Sequence, residues 1–150
     1  QITVAAPIAG RLIALADVPD PVFSSGMMGA GVGIVPSDGT VYAPLSGTVV
    51  AAMASGHAYG IRGDDGVEVL VHVGIDTVNM KGEGFEMKVA KGHRVEAGQV
   101  LAVVDLAAVK AAGHPTTTVM IVTNTAAQKD VSTVGAASVA ANAPALVVTR

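Results

Sequence analysis

The chain has 150 residues, nine Lys and Arg against twelve Asp and Glu for a net charge of -3, and no cysteine. That length supports one domain that buries most of its surface without a covalent staple, and the missing cysteines exclude zinc–thiolate sites, thiol nucleophiles, redox dithiols and disulfide scaffolds. No basic cluster suits phosphate-contacting nucleic-acid binding, and no uninterrupted apolar run of about 18 residues suits a membrane span.

In chain order, the first signal is Ile2–Gly10, an extended run with an Ala6-Pro7 step closed by Gly10. No basic region followed by an apolar run, and hence no secretory signal, is read in Gln1 to Ile13. Asp17 to Gly33, broken by Pro19, Pro21 and several Gly and Ser, reads as a long surface loop. After a turn at Pro36-Ser37-Asp38-Gly39 come the Val-rich runs Val41 to Ala43 and Gly47 to Ala52. Here Val41-Tyr-Ala-Pro-Leu-Ser-Gly47 echoes Ile2–Gly10 and suggests a duplicated unit. A second turn, Gly63-Asp64-Asp65-Gly66, leads into Val67 to Val73, and further strands are predicted at Gln99 to Val104 and Thr117 to Thr123. The spacing predicts a helix at Asp105 to Ala112, capped by Asp105 and stopped by Gly113, and a short turn near Asn124 to Asp130. The pattern is that of an all-β chain: one domain over 1–150, an antiparallel β-sandwich or flattened barrel with short helical turns.

The segment His57 to His72 carries the chemistry. Folded as a hairpin symmetric about Asp64-Asp65, it sets Tyr59 opposite Leu70 and His57 opposite His72, with directly opposed Cβ atoms about 5 Å apart. A slip of one residue would separate the rings in this scheme. Two adjacent imidazoles disfavour each other's charge, and a neutral ring offers one lone pair as nucleophile, base or ligand. Three readings stand: a hydrogen-bonded structural pair, a metal site needing a further ligand such as Asp76 or a partner's, and a phosphoryl carrier in which one ring holds the phosphate that the other hydrogen-bonds.

Val69-Leu-Val-His-Val-Gly-Ile-Asp-Thr-Val-Asn-Met-Lys-Gly-Glu-Gly-Phe85 resembles the signature of the glucose-type IIA proteins and domains of the bacterial phosphoenolpyruvate:sugar phosphotransferase system. Val18-Pro-Asp-Pro-Val-Phe23, Tyr42-Ala-Pro-Leu-Ser-Gly-Thr48 and Val95-Glu-Ala-Gly-Gln-Val-Leu101 extend the resemblance over nearly the whole chain. It implies a barrel–sandwich fold in which His72 is phosphorylated on Nε2, His57 donates a hydrogen bond to the phosphoryl oxygens, and the Gly74 carbonyl fixes the His72 tautomer. Asp20 and Asp76 match two acidic residues flanking the family site; by themselves they read as a turn residue and a strand-end cap. Ser55 stands where the family usually has Thr, keeping the hydroxyl without the stiffening methyl. Gly29-Ala30-Gly31 lacks an acid that many relatives carry, and Met53 and Gly60 replace large aromatics common in glucose-specific members. His93 and His114 read as solvated loop residues, and Lys110 to Asn124 looks more like IIA domains fused to β-glucoside, sucrose or trehalose permeases.

The implied function is a phosphoryl relay without metal or nucleotide, consistent with the lack of a Gly-Lys-Ser/Thr phosphate loop. The donor would be the histidine-phosphorylated carrier HPr, and the acceptor a cysteine on the IIB domain of a sugar permease, with membrane contact only through that permease. The expected location is cytoplasmic, or the cytoplasmic face of the membrane. An apolar docking ring is expected from Val22, Phe23, Met27, Met28, Leu70 and Val78. The rivals are a regulatory binding domain and a biotinyl- or lipoyl-like carrier, which would need a hairpin lysine where Lys110 instead follows a helix-like run.

Overall fold

The computed structural model describes residues 1–135 and 137–150. In chain order these form β1 (Ile2–Ala5), β2 (Gly10–Ala14), α1 (Pro21–Ser24), β3 (Ala30–Pro36), β4 (Thr40–Tyr42), β5 (Gly47–Ala52), β6 (Ala58–Gly63) and β7 (Glu68–Val73). There follow β8 (Phe85–Met87), β9 (Arg94–Val95), β10 (Val100–Val104), α2 (Leu106–Ala111), β11 (Thr118–Val122), β12 (Asp130–Thr133), β13 (Ser138–Val139) and β14 (Pro144–Thr149). Single 3-10 turns lie at Leu15–Asp17, Thr77–Met80 and Thr125–Ala127. A main sheet runs β13-β2-β3-β11-β7-β6-β5-β9, flanked by two small sheets, β1-β14-β12 and β4-β10-β8. The pairings within them are antiparallel, as the strand and turn spacing implies.

Strand alternation splits the core in two. Along β7, Val69, Val71 and Val73 point into the main core with Ile34, Tyr59, Ile61, Leu101, Met120 and Leu146. On the opposite face Val18, Phe23, Ile75, Val119 and Ile121 form a second cluster, with Leu70 packed against it. β11 contributes to both and is buried along its whole length, which explains its unbroken apolar run.

The sequence echo is structural. Ala5 N–H donates to the Pro44 carbonyl at 2.9 Å, and Tyr42 N–H donates to the Pro7 carbonyl at 2.7 Å, so the two Ala-Pro segments bond reciprocally. Ala6 and Ala43 likewise donate to Ala143 and Gln99, and accept from Asn142 and Gly98. Gly10 pairs with Val139 as Gly47 pairs with Val95. A Cβ at either glycine would strike a carbonyl of the neighbouring strand, that of Val35 or of Arg62, which is why both repeats keep Gly there.

One expectation fails. Asp17–Gly33 is not a plain surface loop: α1 lies within it, β3 begins at Ala30, and Val18 and Phe23 are buried. The Asp20 carboxylate caps α1 by accepting from Val22 N–H at 3.0 Å, and Pro21 suits the first helical position. Gly31, read as loop punctuation, is a strand residue whose missing Cβ makes room for the Met120 carbonyl. The helix at Asp105–Ala112 forms as read, with Asp105 accepting from Ala108 N–H at 3.1 Å.

Candidate functional site

The hairpin brings the two histidines together in a different register from the one expected. Ala58, not His57, lies opposite His72, and Tyr59 faces Val71. The turn is odd-numbered: Gly63 N–H donates to the Val67 carbonyl at 2.8 Å, leaving Asp64, Asp65 and Gly66 as the loop, with Gly66 at φ +93°. A left-handed third residue is the hallmark of a three-residue hairpin with a bulge, and it shifts every pair by one. His57 nevertheless meets His72, because it sits in a bend one residue before β6 and escapes the strand's alternation. The ring centroids are 5.1 Å apart and nearly perpendicular. Val73 N–H donates to the His57 carbonyl at 2.7 Å, fastening the two backbones.

Hydrogen bonds assign the protons. His72 Nδ1 lies 2.8 Å from the Gly74 carbonyl, which can only accept; Nδ1 therefore carries the proton and Nε2 keeps the lone pair. The Ser55 hydroxyl is in contact with His57 Nδ1 and orients that ring; a hydroxyl can donate or accept there, so the proton assignment rests on His72 alone. Burial holds the His72 pKa below its ordinary value, against the opposing influence of the Gly74 carbonyl, Asp20 and Asp76. Burial, then the neighbouring His72 charge, lowers His57 as well. A neutral His72 thus offers its unprotonated Nε2 beside the His57 ring.

The surroundings divide into a buried wall and an exposed rim. Phe23 is not part of an exposed ring: it is 5% exposed, and its ring centroid is 5.0 Å from that of His72. The capped turn α1 folds it inward, onto Val18, Ile75, Val119 and Ile121. Leu70 is half-buried on the same cluster. Val22, Met28 and Val78 are exposed, and Met27 is 90% so. Met53, just before Ser55, adds another exposed apolar side chain. Asp20 both caps α1 and lies close enough to act on His72. Asp76 caps nothing with its side chain; it adopts φ 58° ahead of the 77–80 turn, exposed and near His72.

Sequence reasoning missed Thr77. Its side chain is fully buried and its hydroxyl donates to the Val73 carbonyl at 2.6 Å. The available signal was alternation: Ile75 and Thr77 turn inward on either side of exposed Asp76. His93 is exposed, its Nδ1 accepting from Ala90 N–H at 3.2 Å, whereas His114 is half-buried behind α2 rather than fully solvated. Lys110 lies on α2, away from any hairpin tip. Among the described residues, no group of three or more His, Asp or Glu side chains is arranged to hold a metal ion, and no helix is long and apolar enough to cross a membrane.

Residues 2–128 match the family model described as phosphoenolpyruvate-dependent sugar phosphotransferase system, EIIA 1. Over 137 residues the chain is 42% identical to the glucose-specific EIIA component of the Bacillus cereus phosphotransferase system, covering 91% of this chain and 83% of that protein. It is 46% identical over 124 residues to the glucose-specific EIICBA component of Staphylococcus saprophyticus, covering 83% of this chain but only 18% of that longer protein. The solved glucose permease IIA from Mycoplasma capricolum superposes with a TM-score of 0.87 at 35% identity, covering 97% of this chain and 94% of that one. With most of its length matched by the family model and its β architecture shared with a solved member, the chain belongs to the EIIA family of the sugar phosphotransferase system, phosphotransferase components that carry phosphate on a histidine.

Proposed function

We propose that His72 Nε2 accepts a phosphoryl group from a histidine-phosphorylated HPr and passes it to a cysteine on the IIB domain of a sugar permease. The observation that carries this reading is the Nδ1–H of His72 held on the Gly74 carbonyl, which leaves Nε2 unprotonated beside the His57 ring. In the first step the P–N bond at Nε2 forms as the donor's P–N bond breaks. Nδ1 keeps its proton throughout, and the positive charge that develops on the ring is shared with the Gly74 carbonyl. His57 Nε2–H, oriented by Ser55, donates to the phosphoryl oxygens where charge gathers. The second step reverses the first, with a thiolate as the acceptor.

Exposed Val22, Met27, Met28, Val78 and Met53 provide apolar contact for transient partners, and Asp20 and Asp76 provide a negative rim that steers basic groups toward the site. The relay needs neither metal nor nucleotide. A IIB partner is supported by relatives whose names join EIIA with EIIB and EIIC components. Such a relay would work in the cytoplasm or at the cytoplasmic face of a permease. Incubation with phosphoenolpyruvate and the general carrier proteins, followed by intact-mass analysis, tests it: one acid-labile phosphate is expected on the wild-type chain and none on His72→Gln. Attachment of biotin or lipoate instead would contradict it.

A further inference from the structure

We propose that Thr77 is the positioning residue of this site: through its hydroxyl it holds the 73–77 turn in the shape that keeps the Gly74 carbonyl on His72 Nδ1. The inference rests on the reading of His72 as phosphoryl acceptor and concerns what keeps its lone pair on Nε2.

The turn does not hold itself. Gly74 lies at φ 77° and Asp76 at φ 58°, two left-handed residues within three positions. A non-glycine residue in that region persists only where its surroundings over-determine it. Asp76 supplies no such support, since its side chain makes no cap. Thr77 does, from a fully buried position: its hydroxyl donates to the Val73 carbonyl at 2.6 Å, closing the turn from the far side. Its methyl group occupies the space a Cβ at Gly74 would need, so only glycine fits there. A second anchor, Ile75 N–H to the Pro115 carbonyl at 3.1 Å, fixes the other end of the Gly74–Ile75 peptide. The carbonyl that orients His72 therefore belongs to a peptide held at its nitrogen by Pro115 and at its turn by Thr77.

The consequence is chemical. Val73 is buried, so removing the Thr77 hydroxyl leaves its carbonyl without that donor and removes the side-chain restraint on the turn. Once the Gly74 carbonyl swings off Nδ1, nothing on that side distinguishes the two ring nitrogens. A neutral His72 then shifts toward the tautomer protonated on Nε2, whose lone pair is on the wrong atom for transfer.

The test compares Thr77→Val, which keeps the volume and loses the hydroxyl, with Thr77→Ser, which keeps the hydroxyl. Nitrogen-15 NMR of the histidine rings is recorded on the unphosphorylated full chain. The wild type and Thr77→Ser are expected to show His72 protonated on Nδ1 and bare on Nε2. Thr77→Val is expected to show mixed tautomers, with phosphate acceptance slowed about tenfold. Wild-type ring signals and rate in a folded Thr77→Val would overturn the proposal. Should that variant not fold, Thr77→Ala against Thr77→Ser differ by the hydroxyl alone, and identical His72 signals in the two would overturn it equally. The ring signals are read without phosphate, so they judge Thr77 independently of His72→Gln, which judges the relay.

Discussion

The duplicated unit contains two equivalent connections, and they have diverged completely. Residues 15–29 join β2 to β3, and residues 53–57 join β5 to β6, each following a strand that opens on a glycine pressed against a neighbouring carbonyl. The long connection supplies a helical turn, the Asp20 cap, the buried Phe23 ring and exposed Met27. The short one supplies Ser55, a left-handed Gly56 and His57. Both reach His72, which stands on β7 near the middle of the main sheet. The repeated residues, Ala6-Pro7 with Ala43-Pro44 and Gly10 with Gly47, build the frame; Phe23 and His57, which meet the His72 ring, do not repeat. One connection is a packed wall that dries the ring, and the other is a hydrogen-bonding arm.

This division can be broken at each part. The largest effect is expected at the ring they share: His72→Gln should lose phosphate acceptance entirely while unfolding as the wild type does, checked by mass analysis and thermal melting. Phe23→Ala should next cost about 3 kcal/mol of stability, read from a urea titration, because a buried aromatic leaves a cavity in the small cluster behind His72. His57→Gln should leave acceptance from HPr measurable but slow onward transfer about a hundredfold, near 2.7 kcal/mol of barrier, followed by rapid quench. If His57→Gln costs stability and not transfer, or Phe23→Ala the reverse, the wall and the arm have been confused. Asp76→Asn should slow transfer only severalfold at low salt and lengthen the life of the isolated phosphohistidine; an unchanged rate at low salt would remove its electrostatic role.

The smallest effect is a slope in pH. Both ring pKa values are lowered on folding from an ordinary value of 6.5, so below that pH the unfolded chain binds more protons than the folded one. Stability should be independent of these rings above that value, fall as pH drops through it, and level off once the folded-state rings protonate. His57→Gln should flatten part of that slope, seen in denaturant midpoints between neutral and mildly acidic pH.

Much of this architecture was legible because the strands are Val-rich runs separated by unambiguous turn residues, and because Asp105 and Gly113 mark the ends of α2. The hairpin register was not. Gly63-Asp-Asp-Gly66 reads as a symmetric turn, and only the positive φ of Gly66 makes the loop odd. The histidine pair survived the error because His57 stands outside the pleat, so the slip that should have parted the rings did not apply to it. Phe23 was hidden by its neighbours: prolines, serines and glycines signal a loop, whereas burial there is decided by a capped turn that only the three-dimensional structure reveals. Thr77 follows an aspartate at a strand end and looks like polar surface; its burial depends on the left-handed backbone at Asp76.

Nitrogen-15 NMR of the phosphorylated chain reads whether the Gly74 carbonyl keeps the His72 lone pair on Nε2 for transfer. The phosphorus is expected on Nε2 of His72, with the Nδ1 proton still present and shielded from solvent exchange by the Gly74 carbonyl. Phosphorus on Nδ1, or on His57, would contradict it.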